Sequence, residues 1–252
     1  MNPKNKNYLA LLSSDWNECL APCGPFDCIS FIYPELAPEL KKIFKQYTGN
    51  AISLGEAVRR IQRLLPAPIT KAQMDAYLNA SFATYRGVPE LIEWCLTKEI
   101  LFMINTTGMI GYFQRILASG LLPHIPVLSA HPMVRYARRH SDPDYIFDLY
   151  EIKDKFQNTE AIASSFGIPS GKIILMGDSG GDGPHFEWGA KIGALLIGSM
   201  TKASLSKYCE NLNIPIQIRF GISYPAGMER DPQKEMQIDF MDLVPLIEDF
   251  LI

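Results

Sequence analysis

The chain has 252 residues, which is enough for one large domain or for a domain with a small insert. Hydrophobic residues make up 47% of the chain and charged residues 20%, as is usual for globular proteins. The net charge of −3 gives no electrostatic attraction to nucleic acid or to an anionic membrane, so we expect neither as a partner.

The start of the chain and the number of its cysteines indicate in which cellular compartment the protein is expected. The first segment, MNPKNKNYLALL, lacks the apolar stretch of a signal peptide, and no apolar run is long enough to cross a bilayer. Five cysteines are an odd number, which disfavours a disulfide framework, and we expect a cytoplasmic protein. Cys19, Cys23 and Cys28 lie close together, but they form no C-x-x-C pair and the nearest histidine is His124. Structural thiols are therefore favoured over a zinc site.

The first third of the chain predicts one strand followed by a helical insert. An apolar run at 8–12 predicts a buried strand, and 20–33 has the character of a loop with short extended pieces. Helical patterns then begin at Pro34, Ser53 and Thr70 and continue to residue 85 without a strand signal. We therefore predict a small helical cap-like domain at 34–85 and an α/β core domain formed by 1–33 and 86–252.

The rest of the chain alternates strands with helices. This alternation predicts a doubly wound, Rossmann-like parallel sheet. Two stretches, 131–152 and 213–229, show no clear hydrophobic periodicity of either a helix or a strand. The predicted strands lie at 100–104, 125–129, 173–176 and 194–198, and the predicted helices lie at 89–98, 110–118, 155–166, 184–191, 201–211 and 239–251.

The most informative stretch is KIILMGDSGGDG, at 172–183. A short apolar run ends abruptly at Asp178, and Asp182 follows within the same glycine-rich turn. Carboxylates at the carboxyl end of a buried strand are costly unless a cation or hydrogen-bond donors meet them, and ligands bind at that edge in open α/β sheets. A tight turn in which Asp178 caps the next helix is the alternative, but it leaves Asp182 unexplained. We therefore expect a hard-cation site here.

Four short motifs in order resemble those of the haloacid dehalogenase (HAD) superfamily, whose members are mostly phosphatases. They are Asp15 in LLSSDWNECL, Thr106 in INTTG, Lys155 ahead of the helix that stops at Gly167, and the GDxxxD pattern of Gly177, Asp178 and Asp182. The insert after the first strand resembles the cap that covers the site in this family. In size and layout the chain is most similar to the phosphoserine phosphatase and methionine-salvage phosphatase branch.

This resemblance implies the residues of an active site. Asp15 would attack phosphorus and form an aspartyl-phosphate, and Thr106 and Lys155 would hold phosphoryl oxygens. Mg²⁺ would be held by Asp15, the backbone carbonyl of Asn17 and Asp178, with Asp182 in support. The implied substrate is a small phosphorylated metabolite, and the sequence gives no indication of the oligomeric state.

One position departs from the family pattern. Phosphatases of this family usually carry a second aspartate two residues after the nucleophile as general acid and base, and this chain has Asn17 there. An amide neither gives up nor takes a proton at neutral pH, and such assistance typically contributes about 10²–10⁴-fold. Glu18 is adjacent but is expected to face the other way, and His185 is favoured as a packing or capping residue over a proton donor.

Three outcomes therefore stay open from the sequence. The protein is a slow phosphatase restricted to good leaving groups, a phosphonate-cleaving enzyme, or a non-catalytic phosphate- and Mg²⁺-binding relative that acts through a partner. Phosphonate cleavage would need an activating lysine from the cap, for which the sequence offers Lys41, Lys42, Lys45 and Lys71. A dehalogenase does not need the metal aspartates, so the complete GDSGGD motif counts against that reaction.

Overall fold

The computed structural model describes residues 7–48 and 51–252. Its centre is a seven-stranded sheet in which every neighbouring pair of strands is parallel. The strands are β1 (Ala10–Ser14), β2 (Ile100–Met109), β3 (Val127–His131), β4 (Tyr145–Asp148), β5 (Ile173–Gly177), β6 (Leu195–Ser199) and β7 (Ile218–Phe220). Their order across the sheet is β4-β3-β2-β1-β5-β6-β7, which confirms the predicted doubly wound α/β architecture.

Eleven α-helices lie among the described residues outside the sheet. They are α1 (Asp27–Ile32), α2 (Ala37–Thr48), α3 (Leu54–Leu64), α4 (Lys71–Ser81), α5 (Val88–Thr97), α6 (Ile110–Ala118), α7 (Asp154–Ser165), α8 (Gly183–Ile192), α9 (Ala203–Asn211), α10 (Pro232–Glu235) and α11 (Leu243–Leu251). Within the described part of the chain, none of them combines the length and the apolar character that a membrane span requires.

The two faces of the sheet bury separate apolar layers. Leu12, Phe102 and Ile174 belong to one layer, while Leu11 and Leu175 belong to the other. Successive residues of a strand point to opposite faces, so continuous apolar runs are what a strand covered on both sides requires. These runs place the three strands that carry the predicted site, β1, β2 and β5, in the buried centre of the sheet.

Between residues 34 and 85 the described residues form helices joined by short links and no strand, as predicted. Ser53 caps α3 by accepting a hydrogen bond from the backbone N–H of Glu56, and Thr70 and Gln73 form a reciprocal capping box at the start of α4. Helix α2 packs on α3, and α4 packs on α1 and on α6 of the sheet-bearing part. This helical layer therefore lies against the rest of the molecule through α4.

Some elements differ from the sequence prediction. Helix α1 lies within the stretch expected to be a loop, and α4 ends at Ser81, short of residue 85. Strand β2 runs five residues beyond 104. Strands β4 and β7 occupy the two stretches that showed no period, and they are the edge strands. Edge strands are short and only half covered, so they lack a strong apolar pattern.

Candidate active site

The predicted residues meet at the carboxyl edge of three neighbouring strands. Ser14 at the end of β1 pairs with Ile104 of β2 and with Met176 of β5. The backbone N–H of Asp15 then donates to the carbonyl of Met176 at 2.9 Å, which fixes the chain just beyond the strand. Because the three strands are parallel and in register, the residues that follow them lie at one edge of the sheet.

Lys155 is the centre of an ion-pair cluster at this edge. Its ammonium nitrogen lies 3.0 Å from Asp15 Oδ2 and 2.6 Å from Asp182 Oδ1, and its side chain is 1% exposed. Burial would lower the pKa of Lys155, but the Asp15 and Asp182 carboxylates raise it well above its ordinary value. Lys155 is therefore a permanent positive charge that is held beside Asp15.

Three carboxylates converge next to this lysine. One oxygen each from Asp15, Asp178 and Asp182 lies within 4.8 Å of the other two. Burial raises the pKa of Asp178 to about 7, and the charges of Asp182 and Asp15 add to that effect. Oxygen-only ligand sets of this kind suit hard divalent cations. The expected grouping of Asp15, Asp178 and Asp182 is thus present in the structure.

Asp182 also shapes the turn in which it lies. Its Oδ2 accepts hydrogen bonds from the backbone N–H groups of Asp178 at 3.0 Å and Ser179 at 3.2 Å. A Cβ on Gly177 would lie 2.5 Å from Asp182 Cγ, so only glycine fits there. Burial raises the pKa of Asp182, but Lys155 and the two backbone donors lower it below its usual value. Asp182 therefore stays ionised and closes the turn.

Thr106 and Asn17 form the other side of the site. The Thr106 hydroxyl donates to Asn17 Oδ1 at 3.3 Å and accepts from the backbone N–H of Gly108 at 3.2 Å. The Asn17 amide nitrogen donates to the carbonyl of Cys23 at 3.3 Å. Asn17 is thus held on both sides, and its amide lies beside the hydroxyl that the resemblance assigns to a phosphoryl oxygen.

A group of buried polar side chains packs around the backbone of Lys155. Asn105 Nδ2 donates to the Lys155 carbonyl at 2.8 Å and to Thr159 Oγ1 at 3.0 Å. Thr159 Oγ1 is also 3.0 Å from His185 Nε2, and burial lowers the pKa of His185 to about 3. His185 is therefore a neutral packing residue rather than a proton donor at the mouth of the site.

The structure adds a second lysine that the sequence analysis did not identify. Lys202, just beyond β6, lies 2.6 Å from Asp178 Oδ2, and its backbone N–H donates to the Asp178 carbonyl at 2.8 Å. Lys202 also pairs with Glu18, whose other oxygen is 2.5 Å from Arg230 Nη1. Glu18 is thus held between two cations. In the sequence, this role of Lys202 is indicated by its position shortly after the predicted strand at 194–198, which is β6 and lies next to β5.

A residue of the helical layer also reaches the site. The phenol oxygen of Tyr47 on α2 lies 3.9 Å from the position that a Cβ on Gly181 would occupy. The Thr107 side chain lies beside it, and Lys155, Asp15 and Asp182 are close enough to influence its pKa, which burial raises. An aromatic residue on an apolar helix face carries no sequence signal for this role.

Comparisons with known proteins identify the fold. No family model matches the sequence, and no curated protein matches it. Among solved structures, a phosphoserine phosphatase described as a phospho-aspartyl intermediate analogue has a TM-score of 0.65 and 16% identity, covering 95% of this chain and 99% of that chain. A HAD family hydrolase from Salmonella enterica serovar Typhi has a TM-score of 0.64 and 18% identity, covering 98% of this chain and 74% of that chain.

The fold is therefore that of the HAD hydrolases. Within that class, the layout is that of phosphoserine phosphatase, because a substrate-bound structure of this enzyme also matches with a TM-score of 0.64 and 16% identity over 94% of this chain and 97% of its own. The resemblance drawn from the four motifs is confirmed at the level of the fold.

Proposed function

We propose that this protein is a phosphohydrolase that removes phosphate from a small phosphate monoester through an aspartyl-phosphate on Asp15. The observation that carries this proposal is the Lys155 ammonium, which lies 3.0 Å from Asp15 and 2.6 Å from Asp182 at the carboxyl edge of the sheet. A carboxylate nucleophile and a phosphate dianion repel each other, and a fixed cation between them offsets that repulsion.

The reaction would run in two displacements. An Asp15 carboxylate oxygen attacks phosphorus, and the bond between phosphorus and the ester oxygen breaks. The ester oxygen leaves with the electron pair and takes a proton from solvent, because the Asn17 amide has no acidic proton to give. Water then attacks phosphorus, the Asp15 carboxylate is released, and inorganic phosphate leaves. Lys155 and the Thr106 hydroxyl would hold phosphoryl oxygens throughout.

The acidic residues of the site fit a divalent cation, and we propose Mg²⁺. Asp15, Asp178, Asp182 and the backbone carbonyl of Asn17 are the residues that would hold it or support it. Among the described residues, no hydrogen-bond donor meets the buried Asp178 Oδ2 with regular geometry, although the Lys202 ammonium lies 2.6 Å away. Three carboxylates face two lysines, which leaves an excess negative charge. A bound cation would supply electrostatic stabilisation of the transferring group.

We further propose that 34–85 act as a cap over a core formed by 1–33 and 86–252. Residues 1–6 and 49–50 of these ranges lie outside the described part of the chain. Tyr47 of α2 at the site and the packing of α4 on α6 support a covering role for this layer. The segment would exclude water from the phosphoryl group and contact the leaving group.

The two alternatives have less support. For phosphonate cleavage, Lys41, Lys42 and Lys45 are exposed, and Lys71 lies over the Tyr136 ring at 5.9 Å. Among the described contacts, none joins these four lysines to Asp15. A non-catalytic role is favoured only by Asn17, and turnover of good leaving groups needs no acid there.

The test is turnover of acetyl phosphate and p-nitrophenyl phosphate with Mg²⁺ and with a chelator. We expect Asp15→Asn to reduce kcat by roughly a thousandfold or more, because it removes the nucleophile. The chelator should reduce kcat of the unchanged enzyme, and added Mg²⁺ should restore it.

The matched control is Asp249→Asn, which removes a carboxylate from the exposed face of α11 and should leave turnover unchanged. Full turnover by Asp15→Asn would exclude the aspartyl-phosphate route. Binding of phosphate and Mg²⁺ by the unchanged protein, without turnover of either substrate, would favour the non-catalytic alternative.

A further inference from the structure

A small cavity opens from the site toward the helical layer. Asn17 and Gly108 form its inner end, where the Thr106 hydroxyl contacts both of them. Tyr77 of α4 also lines the cavity. A phosphate held by Thr106 would lie next to Asn17 and Gly108, so this cavity offers space to the leaving group.

The lining of the cavity is uncharged. None of the described residues that line it is an aspartate, glutamate, lysine, arginine or histidine. The thiol of Cys23 contacts the Asn17 amide nitrogen at 3.5 Å and the Tyr112 hydroxyl at 3.8 Å, so the polar groups at the wall are already paired with one another. The nearby Asp27 carboxylate is exposed and accepts a hydrogen bond from the Gly24 N–H at 2.6 Å.

The buried thiol of Cys28 and the phenols of Tyr77 and Tyr112 are also neutral at pH 7. Burial raises the pKa of Cys28 above that of an ordinary thiol. Burial likewise raises the pKa values of Tyr77 and Tyr112. An ammonium or carboxylate on a leaving group would enter this space without a partner, and an unpaired charge is costly to remove from water.

The cavity is also narrow. Its volume is about 10 Å³, close to the space that one water molecule needs. Two aromatic contacts hold the walls: the tilted pair of Tyr77 and Tyr112 at 6.3 Å and the edge-to-face pair of Tyr112 and Phe113 at 5.1 Å, measured between ring centroids. A leaving group of only a few atoms fits this arrangement with the least displacement of the walls.

From this lining and size we infer that the site accepts phosphate esters whose leaving group is small and uncharged, and that it discriminates against amino-acid esters such as phosphoserine. This inference rests on the proposed phosphohydrolase function, because it assigns the leaving-group side of the same site. It separates this chain from the enzyme named in its structural neighbours, whose substrate carries both an ammonium and a carboxylate.

The test uses four esters that share a phosphate on a two- or three-carbon skeleton. Ethyl phosphate is uncharged beyond the phosphate, phosphoethanolamine adds an ammonium, phosphoglycolate adds a carboxylate, and phosphoserine adds both. Their kcat/KM values are measured on the unchanged enzyme with Mg²⁺. Their Kd values are measured by calorimetry on Asp15→Asn, which does not depend on turnover.

We expect kcat/KM or the affinity for ethyl phosphate to be at least about tenfold higher than for each charged ester. The reason is that burying an unpaired charge costs more free energy than a tenfold change in affinity represents. Selective binding of ethyl phosphate without turnover of any ester would support this inference and overturn the phosphohydrolase function. Binding of phosphoserine as tight as that of ethyl phosphate, or no binding of any ester, would overturn the inference itself.

A charge-introducing variant sharpens the test. Cys23→Lys places an ammonium in the wall of the cavity and should raise the kcat/KM or affinity ratio of phosphoglycolate to ethyl phosphate at least about tenfold, since it supplies the missing partner. Leu9→Lys adds the same charge at an exposed position ahead of β1, at the opposite edge of the sheet, and should leave the ratio unchanged. An unchanged ratio in a folded Cys23→Lys would place the leaving group elsewhere and overturn the inference.

Discussion

Asn17 is held in place by hydrogen bonds on both sides, so its amide can be replaced by a carboxyl group while the side chain keeps its position. Its Oδ1 accepts from the Thr106 hydroxyl at 3.3 Å, and its Nδ2 donates to the Cys23 carbonyl at 3.3 Å. A carboxyl group in the same position would keep the acceptor toward Thr106 and gain a transferable proton. The loss is one hydrogen bond to Cys23, which is worth about 0.5–1.5 kcal/mol.

We therefore predict that Asn17→Asp raises kcat for alkyl phosphates by about a hundredfold, because general acid–base assistance has about that effect. Acetyl phosphate should gain much less, since its leaving group needs no proton. Steady-state kinetics on the two substrate types measure this difference. Asn17→Ala, which removes the amide without adding an acid, should not raise either rate, and an equal gain on both substrates in Asn17→Asp would contradict the acid–base explanation.

Much of the candidate site was predictable because several of its residues follow a short apolar run in the sequence. Asp15, Thr106 and Asp178 are of this kind, and parallel strands bring such positions together whatever their separation along the chain. Lys202 follows a strand as well, but its pairing with Asp178 depends on β6 lying next to β5. Tyr47 depends on how α2 packs over the site. Contacts of this second kind follow from strand order and helix packing, which local patterns do not specify.

Among the elements, the C-terminal segment is tied to the site by a row of ion pairs. The carboxylate of Glu235, at the end of α10, is fully buried and pairs with Arg230. Arg230 pairs with Glu18, and Glu18 pairs with Lys202, which contacts Asp178. Arg230 and Glu235 follow the stretch 213–229, which showed no clear hydrophobic periodicity, and they contact Lys202 through the charge pairs of Glu18.

This row predicts a pH-dependent contribution to stability from Glu235. Burial would raise the pKa of Glu235, but hydrogen bonds from Arg230 and Tyr85 lower it below the ordinary 4.5. The stabilisation by the ionised carboxylate is therefore fully present above about pH 4.5 and is lost as the pH falls through the lower, folded-state value.

We expect Glu235→Gln to reduce the free energy of unfolding by about 2–3 kcal/mol at pH 7, because it removes charge-assisted hydrogen bonds that are buried. Denaturant titrations of both proteins between pH 3 and 8 should show this difference shrinking below about pH 4.5. Glu248→Gln, which breaks an exposed pair with Lys98, should cost less than about 1 kcal/mol. A difference between Glu235→Gln and the unchanged protein that grows on acidification would contradict the assigned direction.

The elements that the sequence predicted well are those buried on both sides. Strands β1, β5 and β6 are completely buried, and each reads as a short continuous apolar run. The 4 residues of β4 are all only partly covered, and β7 has 3 residues. Such segments become strands because the edge of an existing sheet offers unpaired backbone groups, and that is a property of the assembled molecule rather than of the segment.

At the scale of the whole molecule, two of the polar contacts between the helical layer and the rest of the protein are made by the carboxylates of Asp75 and Glu151. Arg115 of α6 binds both carboxylate oxygens of Asp75 of α4, at 2.6 and 3.0 Å. The Glu151 carboxylate accepts from the Ser53 hydroxyl at 2.9 Å and from the Gly55 N–H at 3.1 Å, at the start of α3. One contact holds α4 and the other holds α3, so together they set how closely the layer covers the site.

We predict that Arg115→Gln loosens the layer without unfolding the sheet. A bidentate pair of this kind, with Arg115 largely buried, is worth about 1.5–3 kcal/mol, which is enough to shift a docking equilibrium about tenfold or more. Hydrogen exchange should therefore become faster in α3 and α4 while β1 and β5 keep their protection. KM for acetyl phosphate should rise more than kcat falls, because a displaced layer binds the substrate less often but leaves Asp15 and Lys155 in place.

The control for this prediction is Lys42→Ala, which removes an exposed ion pair with Glu39 inside the same layer and should change neither exchange nor KM. Glu151→Gln weakens the other contact of the layer, at the start of α3, and should change hydrogen exchange and KM in the same direction as Arg115→Gln. If the layer docks as one body, releasing either contact exposes both α3 and α4, and the double variant shows less than the sum of the two effects. Exchange that rises only in the helix whose contact was removed would mean instead that α3 and α4 dock separately, and the single-body description of the cap would be wrong.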